Sequence, residues 1–125
     1  MNNIWQSMYQ TATTCNEPRE ISKTIYTGSV AACIATADNH LYTGISIDTA
    51  CSIGFCAERN AIGSMLTDGQ NKLTKVLAVK DGQVIMPCGV CRELMMQIDP
   101  NIKVLTSINP LKTVALNKLM PNYWM

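Results

Sequence analysis

Two short cysteine clusters constrain this chain more than any other feature: Cys56-Ala57-Glu58-Arg59 and Pro87-Cys88-Gly89-Val90-Cys91-Arg92. Cys88 and Cys91 have two residues between them, so one metal ion can be gripped within a single turn. Cys56 comes from a distant segment and offers the third thiol. Structural zinc sites are usually closed by four protein ligands, whereas catalytic sites keep one position for water. Only these three thiols stand in motif positions, and the single histidine, His40, is far from both clusters in sequence. The spacing predicts one Zn2+ held by Cys56, Cys88 and Cys91, with its fourth position open.

Glu58 separates a metal staple from an enzyme. It opens a predicted helix, Ala57 to Leu66, two residues after Cys56. Residues two apart do not share a helical face, which makes Glu58 a poor second ligand. The two can still converge on one ligand at the helix N-terminus, where orphan amides favour negative charge. A carboxylate beside zinc-activated water is what metal-assisted hydrolysis needs. Zinc deaminases combine three cysteines, or a histidine and two cysteines, with a non-ligand glutamate and a Pro-Cys-x-x-Cys element. With C-A-E-R-N-A-I at Cys56–Ile62 and P-C-G-V-C-R-E at Pro87–Glu93, the chain resembles the cytidine deaminase family. The resemblance is to its small, all-cysteine branch, which includes free-nucleoside cytidine deaminases and blasticidin S deaminases. It extends over Val30-Ala31-Ala32 through Leu41-Tyr42-Thr43-Gly44 and the ending Leu119-Met120-Pro121, about three quarters of the chain.

That resemblance implies an α/β fold of three α-β-α layers, with zinc where the N-termini of the two motif helices meet. It implies hydrolytic attack at C4 of a free cytosine nucleoside, cytidine or deoxycytidine, in pyrimidine salvage. Glu58 then carries protons between the water, ring N3 and the departing ammonia. It also implies a homotetramer whose sites are completed by neighbouring subunits. Three thiolates and Zn2+ sum to a charge of −1, which works against activating water. Helix N-termini stabilise thiolates, and Arg59 and Arg92, each close after a ligand, are the candidates to offset the charge from behind them.

Substrate binding is assigned to Ser46, Asp48 and Ala57. Cytidine deaminases usually carry Asn-Val-Glu-Asn-Ala ahead of the first motif, with the Asn and Glu on the ribose. Here the run is Ser46-Ile47-Asp48-Thr49-Ala50, and the loop to Cys56 is one residue shorter. Ser46 and Asp48 keep hydrogen-bonding ability but reach less far. Gly28 and Ser29 stand where a phenylalanine commonly precedes the following strand, leaving Tyr26 or Phe55 to pack against the ring. The spacing from Val30 to Gly44 resembles blasticidin S deaminases, which makes a nucleoside antibiotic the alternative substrate. A non-catalytic zinc-stapled interaction module is the alternative of a different class.

At 125 residues the chain is expected to form one domain, 1–125, large enough for a core. Hydrophobic residues make up 47% and charged residues 15%, which points to apolar surface covered by other subunits. A net charge of +1 with no basic run argues against nucleic acid, and no apolar run approaches membrane-spanning length. The opening residues lack an export signal, so the reading is a reducing cytoplasm, with Cys15, Cys33 and Cys51 as ordinary buried thiols.

Ile4, Trp5, Met8, Ala12 and Cys15 recur at helical spacing, and Asn16-Glu17-Pro18 ends that helix. Strands are expected at Ser29–Thr36, Leu41–Ile47, Lys75–Lys80, Lys103–Ser107 and Lys112–Ala115, a mixed sheet of about five. The second motif helix spans about Cys88 to Ile98, and a brief helix closes the chain at Leu116–Met120. Strand–helix–strand crossovers bring both motif helices to one sheet edge. His40 reads as a solvated turn residue.

Overall fold

In the computed structural model, which describes residues 3–125, β2 (Ile25–Thr36) is the longest strand and is paired along both of its edges. Its apolar run Ala31-Ala32-Cys33-Ile34-Ala35 is fully buried, because both faces of the sheet are covered. Alternation then divides the side chains. Ala31, Cys33 and Ala35 pack under helix α1 (Ile4–Cys15) with Trp5, Met8 and Ala12. Ile34 points the other way, into a core shared with helices α2 (Ala57–Thr67) and α3 (Gly89–Ile98). Strand β4 (Leu73–Lys80) repeats the pattern: Leu77 and Val79 face α1, while Val76 faces α2 and α3. The three-layer α-β-α architecture follows from these two alternating strands.

Across the sheet, β3 (Leu41–Thr49) pairs with β2, and β2 with β4, both antiparallel. β4 pairs in parallel with β6 (Lys103–Ile108), and β6 pairs antiparallel with β7 (Leu111–Ala115). These are the five expected strands. Two short ones bring the sheet to seven: β1 (Arg19–Ser22), beside the start of β2, and β5 (Gln83–Ile85), beside the end of β4. β1 is solvent-exposed along its whole length, so no buried face left a mark in its sequence. A 3-10 helix, Leu116–Leu119, ends the ordered elements.

The α1 boundaries match its periodicity. Asn3 caps it, its side-chain oxygen accepting from Gln6 N at 3.0 Å. β2 begins earlier than its apolar run because its first half is a separate paired segment. The register with β3 slips between Thr27 and Ala31, so a bulge joins the two halves. His40 is exposed in the β2–β3 turn and lies 3.0 Å from Asp38. Asp38 is held below the usual carboxylate range first by the Thr36 hydroxyl and then by His40.

Two contacts position α2. Gly44 of β3 lies so close that an added Cβ would stand 2.4 Å from both Ala57 O and Ala61 N. Only glycine admits a helix backbone at that distance. Asn60 then donates its side-chain N–H to Ile45 O at 3.0 Å. The start of α2, with Ala57 and Glu58, is thereby fixed against the sheet. Among the described residues no helix is long and apolar enough to cross a membrane.

Candidate metal centre and active site

Cys56 is the N-cap of α2 and Cys88 the N-cap of α3, and neither side chain caps its own helix. Each sulfur thus lies at the positive end of a helix with orphan N–H groups, a setting that favours thiolate. The two helix starts converge. Cys56 Sγ lies 3.3 Å from Cys88 Sγ, and Cys88 Sγ 3.5 Å from Cys91 Sγ. All three sulfurs fall within 4.8 Å of one another. Thiolates about 2.3 Å from a shared tetrahedral zinc would lie about 3.8 Å apart, so the cluster needs to open by only a few tenths of an ångström to hold such a metal.

The thiols differ. Burial first, then the Glu58 charge and the Cys88 thiol, push Cys91 well up. Burial and then the Cys88 thiol also raise Cys56. Burial would raise Cys88 too, but the Cys91 backbone amide, the other two thiols and the Val90 amide outweigh it, leaving Cys88 below a free thiol. Arg59 Nη2 donates to Cys56 Sγ at 3.8 Å, and its Nε is buried without an acceptor. Cys56 holds the Arg59 guanidinium above its ordinary value. A guanidinium turned inward with an unmatched N–H is suited to thiolates rather than thiols. Arg92 acts elsewhere. Its Nε donates to Pro87 O at 2.8 Å and its Nη1 to Leu119 O at 3.4 Å, so it pins the backbone ahead of Cys88 rather than a sulfur.

Glu58 is 3% exposed, in the first turn of α2, and burial pushes its carboxyl up. A cavity of about 390 Å³ connects Glu58, Cys56 and Cys88 with Ala57, Ser46 and Asp48. Cys91 lies beneath these groups, fully buried. Ser46 is buried and accepts from Val30 N at 3.0 Å, whereas Asp48 is exposed at the rim and accepts from Ser29 Oγ at 3.3 Å. Phe55 lines the cavity and Tyr26 does not.

Among the lining residues that no sequence motif marks as substrate contacts are Ser29, Met86 and Cys51. Gly28 was the one available signal for Ser29, marking a bulge. Nothing local distinguished Cys51 from Cys33. Of the three thiols expected to be buried, Cys33 is, with burial pushing it up to about 12. Cys15 is half-buried, and Cys51 is exposed in the loop between β3 and α2, where a return to Cys56 leaves no room for a core. No cysteine among the described residues is in a disulfide.

A family model described as the cytidine and deoxycytidylate deaminase zinc-binding region matches residues 5–106. The blasticidin-S deaminase of Bacillus cereus is 30% identical over 103 residues, 74% of this chain and 74% of that protein. The cytidine deaminase of Mycoplasma genitalium is 33% identical over 69 residues, 53% of each chain. The crystal structure of cytidine deaminase from Mycobacterium leprae has a TM-score of 0.80 at 24% identity, covering 97% of this chain and 100% of that one. That from Mycobacterium tuberculosis gives 0.82 at 20% identity, over 99% of both. At such identities the structural likeness shows the fold. The family match spans most of the chain and includes both cysteine motifs that converge on the cavity: this chain belongs to the cytidine and deoxycytidylate deaminase family of zinc-dependent hydrolases.

Proposed function

We propose that the chain deaminates a free cytosine nucleoside, cytidine or deoxycytidine, to the uracil nucleoside and ammonia. One observation carries this reading: a single cavity is lined by Cys56, Cys88 and Glu58 together with Ser46 and Asp48. Cys56, Cys88 and Cys91 would hold zinc. Bound there, zinc supplies Lewis acidity that makes water a nucleophile at neutral pH. Glu58 takes one proton from the water that attacks C4 and delivers it to ring N3. It then moves the second proton to the C4 amino group, which leaves as ammonia when the C–N bond breaks. Its burial suits this work, since a carboxyl raised towards neutral pH both accepts and returns protons. Arg59 offsets the thiolate charge, and Arg92 holds the Pro87 carbonyl so that Cys88 keeps its place.

The charged groups lining the cavity are Asp48, Glu58 and Arg59, and Arg59 is engaged with Cys56. Among the described residues no lysine lines it, so a phosphate would meet two carboxylates without a free cation. A nucleoside is favoured over a nucleotide or a nucleic acid. The likeness to a blasticidin-S deaminase over 74% of the chain, with the shorter Ser46 and Asp48 lining the cavity, supports a second reading in which the substrate is that antibiotic. Ultraviolet assays across cytidine, deoxycytidine, dCMP, cytosine, adenosine and blasticidin S decide between them. Cytidine and deoxycytidine are expected to turn over at least about 100-fold faster than dCMP. Blasticidin S far ahead of both would overturn the first reading in favour of the second, and activity confined to adenosine would defeat both.

A homotetramer in a reducing compartment completes the proposal. Ile53, Leu66 and Val90 are each exposed by half or more, apolar side chains whose burial neighbouring subunits would favour. Light scattering at micromolar concentration is expected to give four times the 13.7 kDa chain mass, and the monomer mass would contradict it.

A further inference from the structure

The bulge in β2 places a side chain that the alternation of the strand alone would not. Gly28 adopts φ +81 and is packed so closely that a Cβ would stand 2.3 Å from Glu17 O. Asn16, just past the end of α1, donates its side-chain N–H to Gly28 O at 2.8 Å and to Ser29 O at 3.2 Å. The bulge is therefore held from outside the sheet, and bulges of this kind re-aim side chains beside active sites. Here the re-aimed side chain is Ser29, which lines the cavity.

Its hydrogen bonds have one consistent direction. Ser29 Oγ lies 3.3 Å from Asp48 Oδ2 and 3.1 Å from Ser46 Oγ. An ionised carboxylate only accepts, so the single hydroxyl proton of Ser29 goes to Asp48. Ser46 must then donate to Ser29, while Ser46 Oγ accepts from Val30 N at 3.0 Å. The chain runs Val30 N–H to Ser46 to Ser29 to Asp48. Ser46, 6% exposed, has no proton left for a substrate. Asp48 is exposed and lines the cavity, with acceptor capacity left beyond the Ser29 bond.

We propose that Ser29 is a positioning residue that sets specificity: it orients Asp48 as an acceptor-only clamp for a donor group of the substrate, while Ser46 supports Ser29 instead of binding substrate. The proposal rests on the deaminase reading above and adds the residue that orients Asp48, with Ser46 taken out of substrate contact; the donor that Asp48 meets is a hydroxyl or an ammonium. An orienting hydrogen bond remote from the chemistry affects binding of the ground state and the transition state alike, and so appears in KM.

The test is a double-mutant cycle of Ser29→Ala and Asp48→Ala, read by KM and kcat for cytidine and for blasticidin S, with zinc content and thermal midpoint as controls. Ser29→Ala is expected to raise KM about 5- to 10-fold with kcat within about twofold, for at least one of the two substrates. In the Asp48→Ala background, Ser29→Ala is expected to add nothing, since its partner is gone. The substrate whose KM responds identifies the source of the donor. An unchanged KM for both substrates in Ser29→Ala overturns the proposal. So does a full KM effect that persists without Asp48, or a loss confined to kcat. A wild-type protein that deaminates neither substrate overturns this proposal together with the function it rests on, whereas the other failures leave that function standing.

Discussion

Glu58→Gln is expected to give a folded, zinc-loaded protein in which deamination falls by about a thousandfold or more. Glutamine matches the glutamate in shape but cannot take and return a proton. The side chain is 3% exposed at the first turn of α2, so no other group on the surface can replace it. Stability should not suffer. Burial raises the carboxyl pKa in the folded chain, so ionised Glu58 disfavours folding as pH rises from its unfolded value through the raised folded one. The neutral amide removes that penalty. Steady-state rates with metal content and thermal midpoint check the expectation. Wild-type turnover at full zinc occupancy would remove Glu58 from its role.

The second large effect is expected at Cys88. Serine is a favourable N-cap, and Cys88 caps α3 without a side-chain hydrogen bond, so Cys88→Ser should help the isolated helix by about 1 kcal/mol. Its oxygen is nevertheless a harder and weaker ligand for a thiolate site. The metal effect should dominate because metal binding here draws two helix starts together and is linked to folding. Cys88→Ser should retain less than about a tenth of a zinc per chain, lose about 10 °C or more in thermal midpoint, and show no deamination. Stoichiometric zinc in this variant would refute the ligand set.

The core of the molecule was legible because β2 and β4 are buried on both faces and α1 shows a clean helical period. Both motif helices could be placed because their cysteines announce their N-termini. β1 and β5 were not legible. Arg19-Glu20-Ile21-Ser22 has no buried face, and Gln83–Ile85 is three residues long, so pairing with neighbours rather than pattern makes them strands. The direction of Ser29 was hidden for a related reason. A bulge shifts the parity of every later residue, and one glycine in a β-rich run does not say which way. Arg59 stands three residues after the helix-capping Cys56 and Arg92 four after the helix-capping Cys88, and one reaches a sulfur whereas the other reaches two carbonyls. One of those carbonyls belongs to Leu119, 27 residues beyond Arg92, which no local motif reports.

The central claim is that the three-cysteine centre and Glu58 together perform deamination. The most direct measurement titrates zinc into metal-free protein while following both bound zinc and loss of cytidine or blasticidin S. Activity should rise in proportion to zinc and reach its plateau at about one ion per chain, and Glu58→Gln should reach the same binding plateau without the activity. Full deamination before zinc is added, or equal rates in the two zinc-loaded proteins, would contradict it.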